Sequence, residues 1–168
     1  LAPGHLRWRA APARMPTLHC FVLDCSGSML RSGQLARAKG VLAQLLQQAY
    51  LWRDPVALVN FGGRGSALVR APGRAPLRPE ALVLPLDGGG GTPLAEALAR
   101  ADAVLRRHRH GPRWLWLLTD GRTRETPARP RHADGLWVID FEHARPPLGR
   151  AAALAGAWDA RLVPAREL

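Results

Sequence analysis

The sequence predicts an α/β fold in which a doubly wound, mostly parallel sheet of about six strands is flanked by helices. Three observations predict it. Short apolar runs of strand length alternate with longer stretches whose apolar residues recur at helical spacing, the order that a sheet covered on both faces requires. Two of the short runs, Phe21-Val22-Leu23-Asp24 and Leu115-Trp116-Leu117-Leu118-Thr119-Asp120, end in a carboxylate, as an open sheet needs to build a site at the carboxyl ends of its strands. At 168 residues, with 47% hydrophobic and 22% charged residues and no internal repeat, the chain fits one domain with one sizeable core.

Residues 1–16 are rich in Pro and Arg and read as an irregular arm, with a short edge strand near residues 6–9 and Trp8 as a side chain that packs onto the sheet. Residues 17–168 read as the domain. The first strand covers residues 18–23 and breaks into the polar turn Asp24-Cys25-Ser26-Gly27-Ser28. Ser32-Gly33 opens a helix on which Leu35, Ala38, Leu42, Leu45, Leu46 and Ala49 form one apolar stripe, ending near Trp52. Asp54-Pro55 turns the chain into a second strand, 56–60. Gly62-Gly63-Arg64-Gly65 reads as a hairpin into a short third strand, 67–70. A proline-rich loop, 71–79, precedes a short helix at 80–84 that Pro85 stops. After Gly88-Gly89-Gly90-Gly91 and Thr92, Pro93 suits the first position of a helix whose buried stripe is Leu94, Ala97, Leu98, Ala101, Val104 and Leu105. Gly111-Pro112 closes that segment. Strands follow at 114–118 and 136–140 with an aperiodic basic loop, 121–134, between them. A helix at 147–158 and a last strand at 161–163 complete the chain.

The formal net charge is +11, from 24 basic and 13 acidic residues. Only one of the basic residues is lysine, Lys39, and arginine in place of lysine beside 17 Gly and 15 Pro is the bias of a GC-rich genome. The charge therefore argues weakly for nucleic acid, and an acidic protein partner suits it at least as well. No apolar run reaches membrane-spanning length, and residues 1–16 lack the apolar core of a signal peptide, although the sequence starts at Leu1 rather than Met. Cys20 and Cys25 are five apart on one strand with side chains starting on opposite faces, so they read as small buried residues, neither a disulfide nor a zinc site. A cytoplasmic location follows as the expectation.

Asp24, Ser26 and Ser28 place a carboxylate and two hydroxyls at alternate positions of one turn, with Thr92 and Asp120 offering a third hydroxyl and a second carboxylate later in the chain. All are oxygen donors, the type that a hard cation such as Mg²⁺ prefers. Each also has a plainer reading: the serines and Thr92 as helix caps, the glycine run as a phosphate cradle. The cradle lacks the Gly-Lys-Ser/Thr continuation, since Thr92-Pro93 follows. His108 and His110 read as complements to a helix C-terminus. No nucleophile–base pair stands out.

The set Asp24, Ser26, Ser28, Thr92 and Asp120 resembles the metal-ion-dependent adhesion site (MIDAS) of von Willebrand factor A (VWA) domains, five positions in the right order. The resemblance implies that these residues hold Mg²⁺ or Mn²⁺, the hydroxyls directly and the carboxylates largely through water. It also implies that one coordination position stays open for a partner's carboxylate. Further stretches, among them Ala38-Lys39-Gly40, Arg53-Asp54 and residues 117–122, resemble the C-terminal domain of the D subunit of magnesium chelatase and of the related cobalt chelatase of corrinoid synthesis. That resemblance implies an accessory module, with no catalysis of its own, coupling an AAA+ ATPase to the large subunit that inserts Mg²⁺ or Co²⁺ into a tetrapyrrole. The family's AAA+-like module and acidic linker are not in this sequence, so the expectation is a stand-alone version working beside a separate ATPase. The alternative is a metal-dependent binding module for another AAA+ ATPase, or an adhesion domain. Arg122, Arg124, Arg129 and Arg131 in the basic loop are the candidate partner-binding residues.

Overall fold

The computed structural model describes residues 14–168. The edge strand expected near residues 6–9, Trp8, and most of the expected arm lie outside the described residues. Six strands form one sheet: β1 (Leu18–Asp24), β2 (Pro55–Gly62), β3 (Gly65–Arg74), β4 (Arg113–Thr119), β5 (Gly135–Asp140) and β6 (Arg161–Pro164). Their spatial order is β3-β2-β1-β4-β5-β6; every neighbouring pair is parallel except the β2–β3 hairpin. Five helices connect them: α1 (Gly27–Arg31), α2 (Gln34–Trp52), α3 (Pro79–Val83), α4 (Leu94–Arg107) and α5 (Arg150–Trp158). The order reverses at β1, with β2 on one side and β4 on the other, so the switch point lies at the carboxyl ends of β1 and β4.

All seven residues of β1 are buried, which is why residues 20–23 are continuously apolar rather than alternating. One face of the sheet packs Cys20, Val22, Leu117 and Val138 against α4 and α5; the other packs Phe21, Leu23, Leu58 and Ile139 against α2 and α3. Each fully buried Leu or Phe in these layers contributes about 1.5–3 kcal/mol of transfer free energy. Cys20 and Cys25 fall in the two different layers and are both free thiols.

Three expectations are corrected. The turn after β1 winds into the short helix α1, which the sequence left as a turn because five residues hold no periodic stripe. The hairpin's second strand runs on to Arg74, into residues read as proline-rich loop. Pro72 is tolerated there because β3 is the edge strand of the described sheet, bonded among the described residues to β2. The helix expected from residue 147 starts at Arg150, since Gly149 occupies the left-handed region at φ 66°.

Asp54, read from sequence as part of a turn, fastens the start of β1. Its Oδ1 accepts the Thr17 backbone N–H at 3.0 Å, while Oδ2 takes the Arg14 guanidinium at 2.5 Å and His19 Nε2 at 3.0 Å. Trp116 Nε1 donates to the other ring nitrogen, His19 Nδ1, at 3.1 Å. His19 is thereby the neutral tautomer with its proton on Nε2.

Candidate metal centre

The end of β1 delivers Asp24, fully buried, to the switch point. Asp24 Oδ1 accepts the Ser26 N–H at 2.9 Å, and Oδ2 accepts the Thr119 hydroxyl at 2.6 Å. Thr119 in turn accepts the Gly121 N–H at 3.0 Å, so the ends of β1 and β4 are tied through one hydroxyl. Burial pushes the Asp24 carboxyl above its ordinary pKa and the nearby Asp120 charge adds to that, against the hydrogen bonds from Thr119 and Ser26.

Ser26 and Ser28 stand with their hydroxyls 3.1 Å apart. Ser26 occupies the N-cap position of α1, yet its side chain makes no capping hydrogen bond. Thr92 is not a cap either: α4 has no side-chain cap at its Pro93 N-cap position, and the Ala95 N–H is taken by Glu125 Oε2 at 2.7 Å. Thr92 Oγ1 donates to the Arg122 carbonyl at 3.3 Å, which sets it beside the Asp120 turn. The hydroxyls are thus free of the capping work that was their plainer reading.

The glycine run is built into the fold. Gly89 N donates to the Cys25 carbonyl at 2.8 Å, the Gly90 carbonyl accepts the Gly27 N–H at 3.0 Å, and the Gly89 carbonyl accepts the Gly63 N–H at 2.7 Å. The loop is therefore stitched onto the Asp24–Ser28 turn and the β2–β3 hairpin. Gly90 sits at φ 69°, and a Cβ there would stand 2.3 Å from the Gly63 Cα. Only glycine permits that backbone contact.

Asp120 is the fifth candidate donor. Its Oδ1 accepts the Arg122 N–H at 3.0 Å, while Oδ2 is buried and has no hydrogen-bond partner among the described residues. A buried carboxylate oxygen left bare next to a second buried carboxylate is costly unless a cation neutralises the pair. Two carboxylates and three hydroxyls are an all-oxygen donor set, fitting Mg²⁺ or Mn²⁺ and not zinc. Among the described residues no group of three or more His, Cys, Asp or Glu side chains offers a competing metal site.

The structure thus gathers Asp24, Ser26, Ser28, Thr92 and Asp120 from three loops at one rim. It spreads the four arginines along the loop. Arg122 and Arg124 lie exposed near Asp120, but the loop descends toward the amino ends of the strands, and Arg129 Nε donates to the Trp158 carbonyl at the far end of α5. Arg131 goes with it, next to His132, which bonds Asp102 of α4. Two contributors were missed in the sequence. Thr119 was passed over as part of a strand. Asp140, at the end of β5, is pushed above its ordinary pKa by burial, and the charges of Glu142 and Asp120 add to that. Its signal was legible, since Trp137-Val138-Ile139-Asp140 repeats the pattern of an apolar strand ending in Asp.

The family model of the von Willebrand factor type A domain matches residues 20–122, a span that contains all five donor residues. The chain belongs to that family. Relatives of this VWA domain include the magnesium-chelatase 60 kDa subunit of Cereibacter sphaeroides, 43% identical over 61% of this chain and 18% of the relative. An uncharacterised protein of Mycobacterium tuberculosis is 33% identical over 99% of this chain and 29% of its own length. The VWA domain thus spans under a third of the length of these relatives. Among solved structures, the conserved hypothetical protein BatB of Bacteroides thetaiotaomicron superposes with a TM-score of 0.64 over 88% of this chain and 89% of that one, at 16% identity, a likeness of fold. Among the described residues no helix is long and apolar enough to cross a membrane.

Proposed function

We propose that this VWA domain holds a divalent cation, Mg²⁺ or Mn²⁺, and uses it to dock a partner's carboxylate within an ATP-dependent metal chelatase. In this reading it is an accessory, D-type module between an AAA+ ATPase and the large subunit that inserts Mg²⁺ or Co²⁺ into a tetrapyrrole. The observation that carries the cation is Asp120 Oδ2, buried in an all-oxygen rim and without a hydrogen-bond partner among the described residues. The relatives among magnesium-chelatase subunits support the setting.

Ser26, Ser28 and Thr92 would hold the ion by hydroxyl oxygens, with Asp24 and Asp120 supplying the negative charge around it. The bound ion would offer an open position to a carboxylate from the partner. Asp24 is clamped by Thr119 and the Ser26 amide, so it orients the turn while those bonds last. Arg122 and Arg124 make the rim positive and steer an acidic segment toward it.

The test is a thermal shift. Saturation with Mg²⁺ at about a hundred times its dissociation constant stabilises by about 2.7 kcal/mol, roughly 5–10 °C for a domain of this size. Asp24→Ala should lose the response, and equal shifts in mutant and parent would remove the metal. A second reading is a docking module for another AAA+ ATPase, since a metal-bridged rim does not by itself require a chelatase. Surface plasmon resonance against an ATPase subunit and a large chelatase subunit, each with Mg²⁺ and with chelator, separates the two.

A further inference from the structure

Beside the metal rim, the descending loop and α5 line an open groove of about 650 Å³, within the range of pockets that anchor ligands. Its apolar floor includes Leu154, Ala157 and Trp158, and its rim carries Arg124, Arg129 and Arg150. The walls are fastened together. Trp158 Nε1 donates to the Pro127 carbonyl at 3.0 Å, Arg129 Nε to the Trp158 carbonyl at 2.8 Å, and Arg150 Nη1 to the Thr123 carbonyl at 3.0 Å. Two of the three guanidinium groups are therefore held by one N–H each, with other donors of the planar fork left over. The one acid in the lining, Glu125, turns a carboxylate oxygen to the N-terminus of α4. The groove is apolar below and positive above.

It also adjoins the cation rim. Its first lining residue, Thr123, lies three positions after Asp120, and the intervening Arg122 carbonyl is the acceptor of Thr92. The nine residues of α5 extend about 13 Å, the reach of about four residues of extended peptide.

We propose that this groove takes the continuation of the acidic protein segment whose carboxylate reaches the cation, seating an apolar side chain over Trp158 and pairing a second acid with the groove arginines. The proposal rests on the metal-docking reading for the first carboxylate, while the groove itself depends on neither metal nor ATPase. Specificity for one partner then resides in the groove, because a cation alone accepts any exposed carboxylate.

The experiment selects random displayed peptides of about twelve residues on the parent protein in Mg²⁺, with Ala157→Trp as counter-selection; Ala157 is exposed, so the indole fills the groove without entering the core. The expected winners carry an acid, then a Leu, Ile or Phe three to five residues on, beside a second acid. Fluorescence anisotropy of such a peptide should show affinity falling about tenfold in Ala157→Trp and in Arg124→Glu, with circular dichroism and melting unchanged. In chelator, affinity should fall further but keep its dependence on the groove variants. Affinity unchanged by chelator yet lost in Ala157→Trp would keep the groove and remove the metal bridge. Winners without acids, no enrichment at all, or equal affinity for parent and Ala157→Trp would overturn the groove.

Discussion

At the scale of the residue, Asp120 and Asp24 are neighbouring buried carboxylates with unequal partners. Both Asp24 oxygens accept hydrogen bonds, whereas one Asp120 oxygen accepts none. Asp120→Asn therefore acts in opposite directions on two measurements. Without metal it relieves like-charge repulsion and holds or raises stability by about 1 kcal/mol, while the Mg²⁺-induced shift disappears. Differential scanning fluorimetry with and without chelator reads both effects, and a variant that melts lower without metal and still responds to Mg²⁺ contradicts the assignment. Thr119→Val strips a buried carboxylate of its hydroxyl donor and should cost about 1–3 kcal/mol by urea denaturation. His19 supplies a pH dependence. Burial holds its pKa below the ordinary 6.5, the Asp54 bond only partly offsetting this, so the unfolded chain takes up the proton first. Stability is then lost as pH falls from about 6.5 toward the folded value. Asp54 has a lowered pKa: burial pushes it up, but bonds from His19, Arg14 and Thr17 outweigh that. Its contribution is present above about 3.9 and lost as pH falls through the folded value. The urea midpoint at pH 5.5 should lie below that at pH 7.5, and His19→Gln should flatten the difference.

At the scale of the element, the glycine loop is where the site is set. Gly90→Ala forces a side chain to φ 69° and against the Gly63 backbone, which should cost roughly 2–4 kcal/mol and remove the Mg²⁺ response. Gly91→Ala meets nothing within 4 Å and should change neither. A melting experiment on the pair distinguishes a loop needed for its backbone path from one that merely connects. The strands and long helices were legible because their apolar residues carry a period that survives in one dimension: 18–23 became Leu18–Asp24 and 114–118 became Arg113–Thr119. The five candidate donors that meet at the rim were legible by type and order. What escaped was set by contacts distant in sequence. Nothing local says that Thr119 donates to Asp24, that Glu125 replaces Thr92 at the start of α4, or that the basic loop carries Arg129 to the end of α5. Gly149, which delays α5, looks in sequence like any other loop glycine.

At the scale of the whole molecule, the net charge of +11 adds a long-range term to whatever the rim and groove do at contact. Association with an acidic partner should slow several-fold between about 0.05 and 0.3 M salt while dissociation changes less, since screening acts on encounter. Stopped-flow or plasmon-resonance rates check this, and a salt effect confined to dissociation would place the charge in the contact instead. The sheet that carries these surfaces also contains its own reporters. Cys20 and Cys25 lie in opposite layers, and burial pushes both thiols up to about 12, so neither reacts while its layer stays closed. The Cys25 backbone carbonyl accepts the Gly89 amide, so the glycine loop packs beside this residue, while Cys20 lies in the layer between the sheet and α4. Alkylation with a small maleimide thus becomes a pair of clocks in one chain, one timing the release of a loop and the other the parting of the core, and saturating Mg²⁺ should slow the first more than the second.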